Sequence, residues 1–491
     1  ETASFIGRFD YQLNDWLSYG LRFDYGRSKY DAYRRPYRDD ERTTWLNGAG
    51  GATAYLDNPY LPDSFRQIMV ANGLTSTPLR RSYEIFGQMG DVSDRQSLTV
   101  GNTFQGELPG GFQWEAFWQY GRSTNDIAAY NATRASRFIA ARDVISDPVT
   151  GEPVCRDAAA RAAGCVPFNI FSFDELTPEQ RDYMIATRRK HRENTQTVYG
   201  GNLKGSLFSL PAGEVQAVVG VEHRKETVDN VDDNLAAPPE NELSHLGNWA
   251  PYEPALKAAN DVSEAYAELV VPVLTDMPFA QRLTVEGAYR YSDYSDFEST
   301  NTWKLGGNWM PIEGLTFRAV KSRSVRVPNF GELYASRAVQ AIGLSDPCMG
   351  TNYNANPTRA RNCAALGISA PLPHQIYTGY VISGGNPDVN PETSDSSSIG
   401  LVWQPGFLRG FDLTLDYWHI NIDNIITALS RTDIPNLCVD LPSIDNEFCG
   451  RVTRDANQVV MWVDTSVINA SMSDAKGIDI GANYRMPLGQ G

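Results

Sequence analysis

The chain has 491 residues, a formal net charge of −16 and 6 cysteines. That acidity argues against a nucleic-acid partner, because a phosphate backbone is held by an excess of Lys and Arg. No apolar run of about 18 residues occurs, which excludes a transmembrane helix. It does not exclude a membrane crossed by strands, since those need only roughly 9–11 alternating residues.

In chain order, two kinds of connection alternate. Short turns rich in Pro, Gly, Asn and Asp fall at 13–15, 109–111, 211–213, 275–278, 311–314 and 405–410. Between them lie connections that are mostly very long, at 31–92, 127–193, 230–260, 327–391 and 426–461. Short turns on one rim and long loops on the other are the layout of an outer-membrane β-barrel. The predicted fold is therefore all-β: a transmembrane antiparallel meander of about 14 strands, with short periplasmic turns and long extracellular loops.

The segments between turns and loops alternate with a period of two. Leu17, Tyr19, Leu21, Phe23 and Tyr25 share one face, against Ser18, Gly20, Arg22, Asp24 and Gly26. Phe112, Trp114, Ala116, Trp118 and Tyr120 repeat the pattern, as do Leu283, Val285, Gly287, Tyr289 and Tyr291. Trp303, Leu305, Gly307 and Trp309 follow, then Ile478, Ile480, Ala482 and Tyr484 near the end. The opposite faces carry charges of both signs, including Arg22, Asp24, Glu115, Lys204, Glu222, Arg224, Arg290, Arg318 and Asp416. These suit a hydrated or plug-filled lumen better than a packed core. Aromatics beside the short turns (Tyr11, Trp16, Phe112, Trp114, Trp309, Trp403 and Phe411) read as a girdle at the headgroup level.

One strand breaks the alternation. Phe411, Leu413, Leu415 and Tyr417 share a face, but Ile420 and Ile422 take the other parity. Either a β-bulge near Trp418 and His419 restores the register, or the strand leaves the bilayer there.

The cysteines fall in three local pairs, Cys155 with Cys165, Cys348 with Cys363 and Cys438 with Cys449, each within one long loop and outside the predicted strands. Locality favours three loop disulfides, which the periplasm oxidises, each stabilising its loop by roughly 2–3 kcal/mol. No CxxC occurs and His191, His223, His245, His374 and His419 are scattered, so no metal site is predicted. Short loop helices are expected over 63–71, after Pro62, and over 177–187, where Thr177, Pro178 and Gln180 form a capping-box pattern.

Catalytic signatures are missing from the sequence: no GxSxG, HExxH or Walker loop is present, so no enzyme activity and no cofactor is predicted. Asp232 with Asp233, and Asp39 with Asp40, read as solvated loop charges; 48–51 and 384–385 read as flexible glycine loops. Loop aromatics Trp45, Tyr55, Tyr60, Trp249, Tyr252, Tyr353, Tyr377 and Tyr380 either stack on a ligand or pack the loops, and packing is the simpler reading.

Residues 318–334 (RAVKSRSVRVPNFGELY) and 384–405 (GGNPDVNPETSDSSSIGLVWQP) resemble segments of TonB-dependent outer-membrane receptors, with Val389 in place of the usual leucine. Residues 476–485 (KGIDIGANYR) resemble a strand of the same family. The resemblance implies that residues 1–491 are a partial barrel domain, of about 22 strands when whole. It implies an N-terminal plug and a TonB-reading segment, both expected outside this chain, and further C-terminal strands. The implied function is uptake of a scarce extracellular nutrient, a siderophore, cobalamin, oligosaccharide or peptide, into the periplasm. The implied partners are outer-membrane lipid, the plug and the TonB complex. A passive outer-membrane channel and a soluble glycan-binding β-protein are the alternative readings.

Overall fold

A computed structural model describes residues 1–33, 37–39, 52–79, 81–233, 254–373 and 377–486. Thirteen strands form one antiparallel sheet in which every strand pairs with its chain neighbour among them. They are β1 (Thr2–Asn14), β2 (Leu17–Tyr33), β3 (Gly90–Leu108), β4 (Phe112–Thr133), β5 (Ile185–Leu210), β6 (Gly213–Asp232) and β7 (Leu256–Met277). The rest are β8 (Ala280–Tyr294), β9 (Thr300–Ile312), β10 (Leu315–Arg326), β11 (Glu392–Trp403), β12 (Phe411–Thr427) and β13 (Ile468–Tyr484). Among the described residues no helix is long and apolar enough to cross a membrane.

Connectivity puts the short turns on one rim and the long loops on the other. Gly110 and Gly111, at positive φ of 91° and 80°, make the β3–β4 turn, where a side chain would be strained. One connection at the long-loop rim departs from the expected length: residues 295–299 join β8 to β9 directly.

Residues opposite each other in a ladder share a face, so the pairings carry one face across the sheet. Phe23 pairs Val100, and Val100 pairs Tyr120. Trp114 pairs Leu203, which pairs Val219. Leu269 pairs Gly287, which pairs Leu305. Phe317, Leu401, Leu415 and Ile480 continue the series. All the apolar sets read from sequence lie on this one face, and large side chains stand exposed on it: Leu305 at 57%, Ile399 at 63% and Ile480 at 72%. A surface so apolar and so exposed is the face turned to lipid.

The apolar band crosses the pairing rows obliquely. A single row starts apolar at Trp114, Leu203 and Val219, passes Ala267, Tyr289 and Trp303, and ends charged at Arg323 and Asp395. Tilted strands require this drift, because the membrane plane is not perpendicular to them. The band spans five outward positions in β2 and β4, matching the strand length a bilayer needs.

Towards the long-loop rim the outward positions turn polar within one or two steps. There Arg27 pairs Asp94 (3.0 Å), Arg122 pairs Glu193 (2.9 Å) and Arg323 pairs Asp395 (2.8 Å). His191 meets Asp126 at 2.7 Å and His223 lies 3.7 Å from Asp261. These pairs form a charged collar above the apolar band.

The collar settles the parity break in β12. Its ladders with β11 and β13 run without a shift from Leu413 to Ile422, so there is no bulge at Trp418 and His419; the first shift follows Ile422. Ile420 and Ile422 face the interior because the strand has already left the apolar band, and His419 on the outer face belongs to the collar.

Candidate functional site: inner wall, latch and loop lobes

The inner face carries the mixed charges read from sequence, and most are paired. Arg318 donates two hydrogen bonds to Asp416 (2.6 and 2.9 Å) across Gly400, whose missing side chain makes room for the pair. Lys304 reaches Glu286 at 3.1 Å, Arg22 reaches Asp24 at 2.6 Å, and Arg224 lies 3.6 Å from Glu222. Arg290 binds Glu264 (3.1 Å) and lies 4.7 Å over the Tyr266 ring. These groups are mostly half-exposed, so each pair contributes about 0–1 kcal/mol. At the short-turn end of this face, Gln12, Gln105, Glu115, Asn202 and Lys204 line a recess of about 430 Å³.

The described segments of four long loops are folded, and they fold in pairs. In the first lobe, residues 52–79 and 81–89 pack on 134–184. Tyr83, Phe86, Phe138 and Phe168 form a buried ring cluster with centroids 5.1 to 6.0 Å apart. Arg156 donates to both oxygens of Asp57 (2.8 Å each) and to Asp143 (2.8 Å). That hydrogen bonding holds the Asp57 carboxyl below the usual carboxylate range. The expected helix Asp63–Ala71 is present, and Pro178–Met184 starts on the predicted Thr177–Gln180 capping box. It stops before residue 187 because Ile185 enters β5.

In the second lobe, residues 327–373 and 377–391 pack on 428–467. A four-stranded sheet crosses between the two loops: Ala338–Leu344 pairs Tyr377–Ser383, which pairs in parallel with Val460–Asp464, which pairs Val452–Arg454. Helix Pro357–Ala365 lies against Asp433–Asp440, where Arg359 donates to Asp440 (2.6 and 2.8 Å). Asp346, whose side chain is 0% exposed, takes Arg454 and the backbone N–H groups of Cys348 and Val460.

Each cysteine pair forms the bond that its locality suggests: Cys155–Cys165, Cys348–Cys363 and Cys438–Cys449, with S–S distances of 2.06, 1.98 and 2.02 Å. Four of the six are buried in lobe cores: Cys155, Cys348, Cys363 and Cys438. Cys155 ends a short loop strand, Pro153–Cys155, where no strand was expected.

A latch joins the second lobe to the sheet, and it is built from the two motif segments. Arg326, the last residue of β10, donates to Glu332 (2.9 and 3.1 Å) and to Glu392 (2.6 and 2.8 Å), the first residue of β11. Asn329 and Glu332 cap the short helix Phe330–Tyr334 reciprocally. Asn386 donates its backbone N–H to Glu332 and its amide to Val467. Val389 is buried with Leu333 and Ile426. Gly385 is not a loose glycine: a Cβ there would lie 2.7 Å from the backbone of Leu333 and Ala335.

Other expectations change in detail. Asp232 is no solvated loop charge; it is paired with Arg188 at side-chain exposures of 2% and 3%. Tyr353 is buried, its hydroxyl donating to the Ile368 carbonyl (3.0 Å). Tyr55 lies under Arg156, and burial pushes the Tyr60 hydroxyl up. Tyr380 stacks on Trp462 at 4.4 Å, a partner the sequence reading missed because it lies in another loop. Trp45, Trp249, Tyr252, His245, His374, Asp40 and 48–51 lie outside the described residues, as does the side chain of Tyr377. Among the described residues no group of His, Cys, Asp and Glu is placed to hold a metal ion.

Comparison with known proteins follows the same line. Residues 30–491 match the family described as TonB dependent receptor-like, beta-barrel. The siderophore receptor PirA from Acinetobacter baumannii superposes with a TM-score of 0.50 at 13% identity, over 99% of this chain and 51% of that one. A mutant of the ferric enterobactin receptor PfeA from Pseudomonas aeruginosa gives 0.50 at 13% identity, over 99% and 49%. The RagAB peptide importer gives 0.51 at 10% identity, over 100% and 44%. At these identities the likeness is one of fold, and the chain spans about half the length of the structures it matches. With its apolar outer face, charged inner face and folded outer loops, this chain belongs to the TonB-dependent receptor β-barrel family, whose members are outer-membrane proteins of Gram-negative bacteria.

Proposed function

We propose that the chain forms the wall and mouth of an outer-membrane transporter that captures a scarce nutrient at the cell surface and delivers it to the periplasm with energy from the TonB complex. The observation that carries this reading is the inner wall. Its pairs, such as Arg318–Asp416 and Lys304–Glu286, are half-exposed and individually weak. Many weak contacts let a wall hold a plug that must later be displaced, and the polar recess lined by Gln105, Glu115 and Lys204 offers such a plug hydrogen-bonding partners. The lobes supply the capture surface. Their disulfides and buried ion pairs make them rigid, which lowers the ordering cost of binding.

The structural neighbours include siderophore receptors and a peptide importer, and these two classes, with oligosaccharides, are the proposed cargo. The test is uptake by cells with and without the full-length receptor, offered labelled ferric siderophores, peptides and oligosaccharides separately. Uptake of one class should require the receptor and stop when the proton-motive force is collapsed. Receptor-dependent uptake that survives the uncoupler would establish a passive channel instead.

A further inference from the structure

We propose that the inner wall of β10–β12, beneath the second lobe, carries a contact panel for a neutral oligosaccharide; the proposal rests on the transport reading above and names its cargo. Two ion pairs bound the panel. Arg318 and Asp416 lie on its short-turn side, Arg326 and Glu392 on its long-loop side. The ladders place three inward rows between those pairs. Ser322, Ser396 and Ile420 form the middle row, with Ser398 and Trp418 one step towards the short turns and Ser324 and Ser394 one step towards the long loops. No charged side chain falls in these rows on β10–β12. The charges of this stretch, Lys321, Arg323 and Asp395, alternate with them and face outward into the collar. The panel therefore lies at collar height, between the mouth and the polar recess at the short-turn end.

This sector of the wall differs from the rest. Elsewhere the inner face stays charged towards the mouth, as with Arg290 and Glu264 or Lys190 and Asp232. Here Trp418 lies along the wall: a Cβ at Gly477, its ladder partner on β13, would sit 2.7 Å from the indole. The ring takes the space of the missing side chain, with one face on the β13 backbone and the other turned to the interior. Ile420 is 36% exposed although it faces inward. The Ser394 and Ser396 hydroxyls lie 3.4 Å apart. Among the described residues the hydroxyls of Ser322, Ser324 and Ser398 and the Trp418 N–H have no protein partner.

The chemistry that fits is a chain of uncharged sugars. The C–H face of a pyranose is apolar and stacks on an indole, whose N–H remains free to donate. Sugar hydroxyls give and take hydrogen bonds, and so does serine, whose hydroxyl rotates to suit each partner. One panel can therefore accept successive sugars as the chain passes. An anionic chelate finds no cation in these rows. A peptide brings charged termini that the panel leaves unpaired, which is costly away from water.

The experiment is calorimetric titration of the detergent-purified full-length receptor with maltohexaose, cellohexaose and xylohexaose, and with hexagalacturonate, ferric enterobactin and hexa-alanine as charged competitors. At least one neutral hexasaccharide should bind, and no charged competitor should displace it. Trp418→Ala should weaken that binding about tenfold, and Trp418→Phe less, because a smaller ring remains. Ser322→Ala/Ser396→Ala should also weaken it about tenfold. Ser397→Ala, on the outer face of the same strand, should leave it unchanged, and heat-modifiable migration checks that each variant is assembled. Binding of none of the three hexasaccharides, equal binding by the wild type and the serine variant, or displacement by a charged competitor would each overturn the proposal. Siderophore or peptide uptake that needs the receptor and the proton-motive force would then keep the transport reading without the panel. Hexasaccharide binding that depends on Trp418, with uptake that survives the uncoupler, would keep the panel without that reading.

Discussion

Leu305 and Lys304 are adjacent residues that face different solvents. Leu305 stands on the apolar band, 57% exposed, and pairs Gly287; Lys304 points inward and reaches Glu286. Leu305→Arg should impair membrane assembly, since a cation added to the apolar band costs up to about 2–4 kcal/mol. Lys304→Gln should leave assembly intact, because a half-exposed pair contributes about 0–1 kcal/mol. Heat-modifiable migration of the membrane fraction measures both, and equal defects would mean the faces are exchanged. Asp346 makes the opposite case. Its carboxylate is fully buried and joined to Arg454, which is 10% exposed. Asp346→Ala leaves that guanidinium buried and unpaired, at a cost of about 3–5 kcal/mol to the second lobe. Limited proteolysis should then cut within 335–391 while the sheet survives.

At the scale of elements, the period of two made the strands legible, because a half-buried strand writes its two environments into alternate residues. The face of every set from Leu17 to Tyr484 could be read this way. β12, where the sequence left a bulge and an exit from the bilayer both open and the structure shows the exit, marks the limit. Parity tells which face a side chain takes, but not where along the strand the solvent changes, and His419 marks that change only beside Lys321, Ser397 and Lys476. The lobes were least legible. The helices Asp63–Ala71 and Pro178–Met184 were readable because their start signals are local. The pairing of Tyr380 with Trp462, or of Arg359 with Asp440, joins loops some eighty residues apart and has no local signal. The Arg359–Asp440 contact also sets a pH dependence. Its hydrogen bonds hold the Asp440 carboxyl below its ordinary value. The contribution is therefore complete above the unfolded carboxylate pKa of about 4, and is lost as pH falls through the lowered folded value. Hydrogen exchange over 433–440 should accelerate at that acid end, and Arg359→Ala should make the segment less protected at neutral pH and less responsive to acid.

At the scale of the molecule, the wall and the lobes are separate sources of stability. The wall is held by continuous ladders and by lipid; the lobes are held by small cores, ion pairs and disulfides. Reduction should leave the wall folded and heat-modifiable, but loosen both lobes together. The bonds Cys348–Cys363 and Cys438–Cys449 sit in one shared core, so losing either exposes residues of both loops. Mass spectrometry of unreduced peptides checks the pairing. Proteolysis before and after reduction checks the separation, and loss of the membrane-embedded form on reduction alone would refute it. The two rims give the last test. Antiparallel alternation puts the turn at 147–151, near Cys155, on one rim and the turn at 405–410 on the other. An epitope inserted in 147–151 of the full-length receptor should be stained on intact cells. The same epitope in 405–410 should be stained only after the outer membrane is opened. Staining of both on intact cells would break the topology, and with it the assignment of lobes to the outside and the polar recess to the periplasmic end.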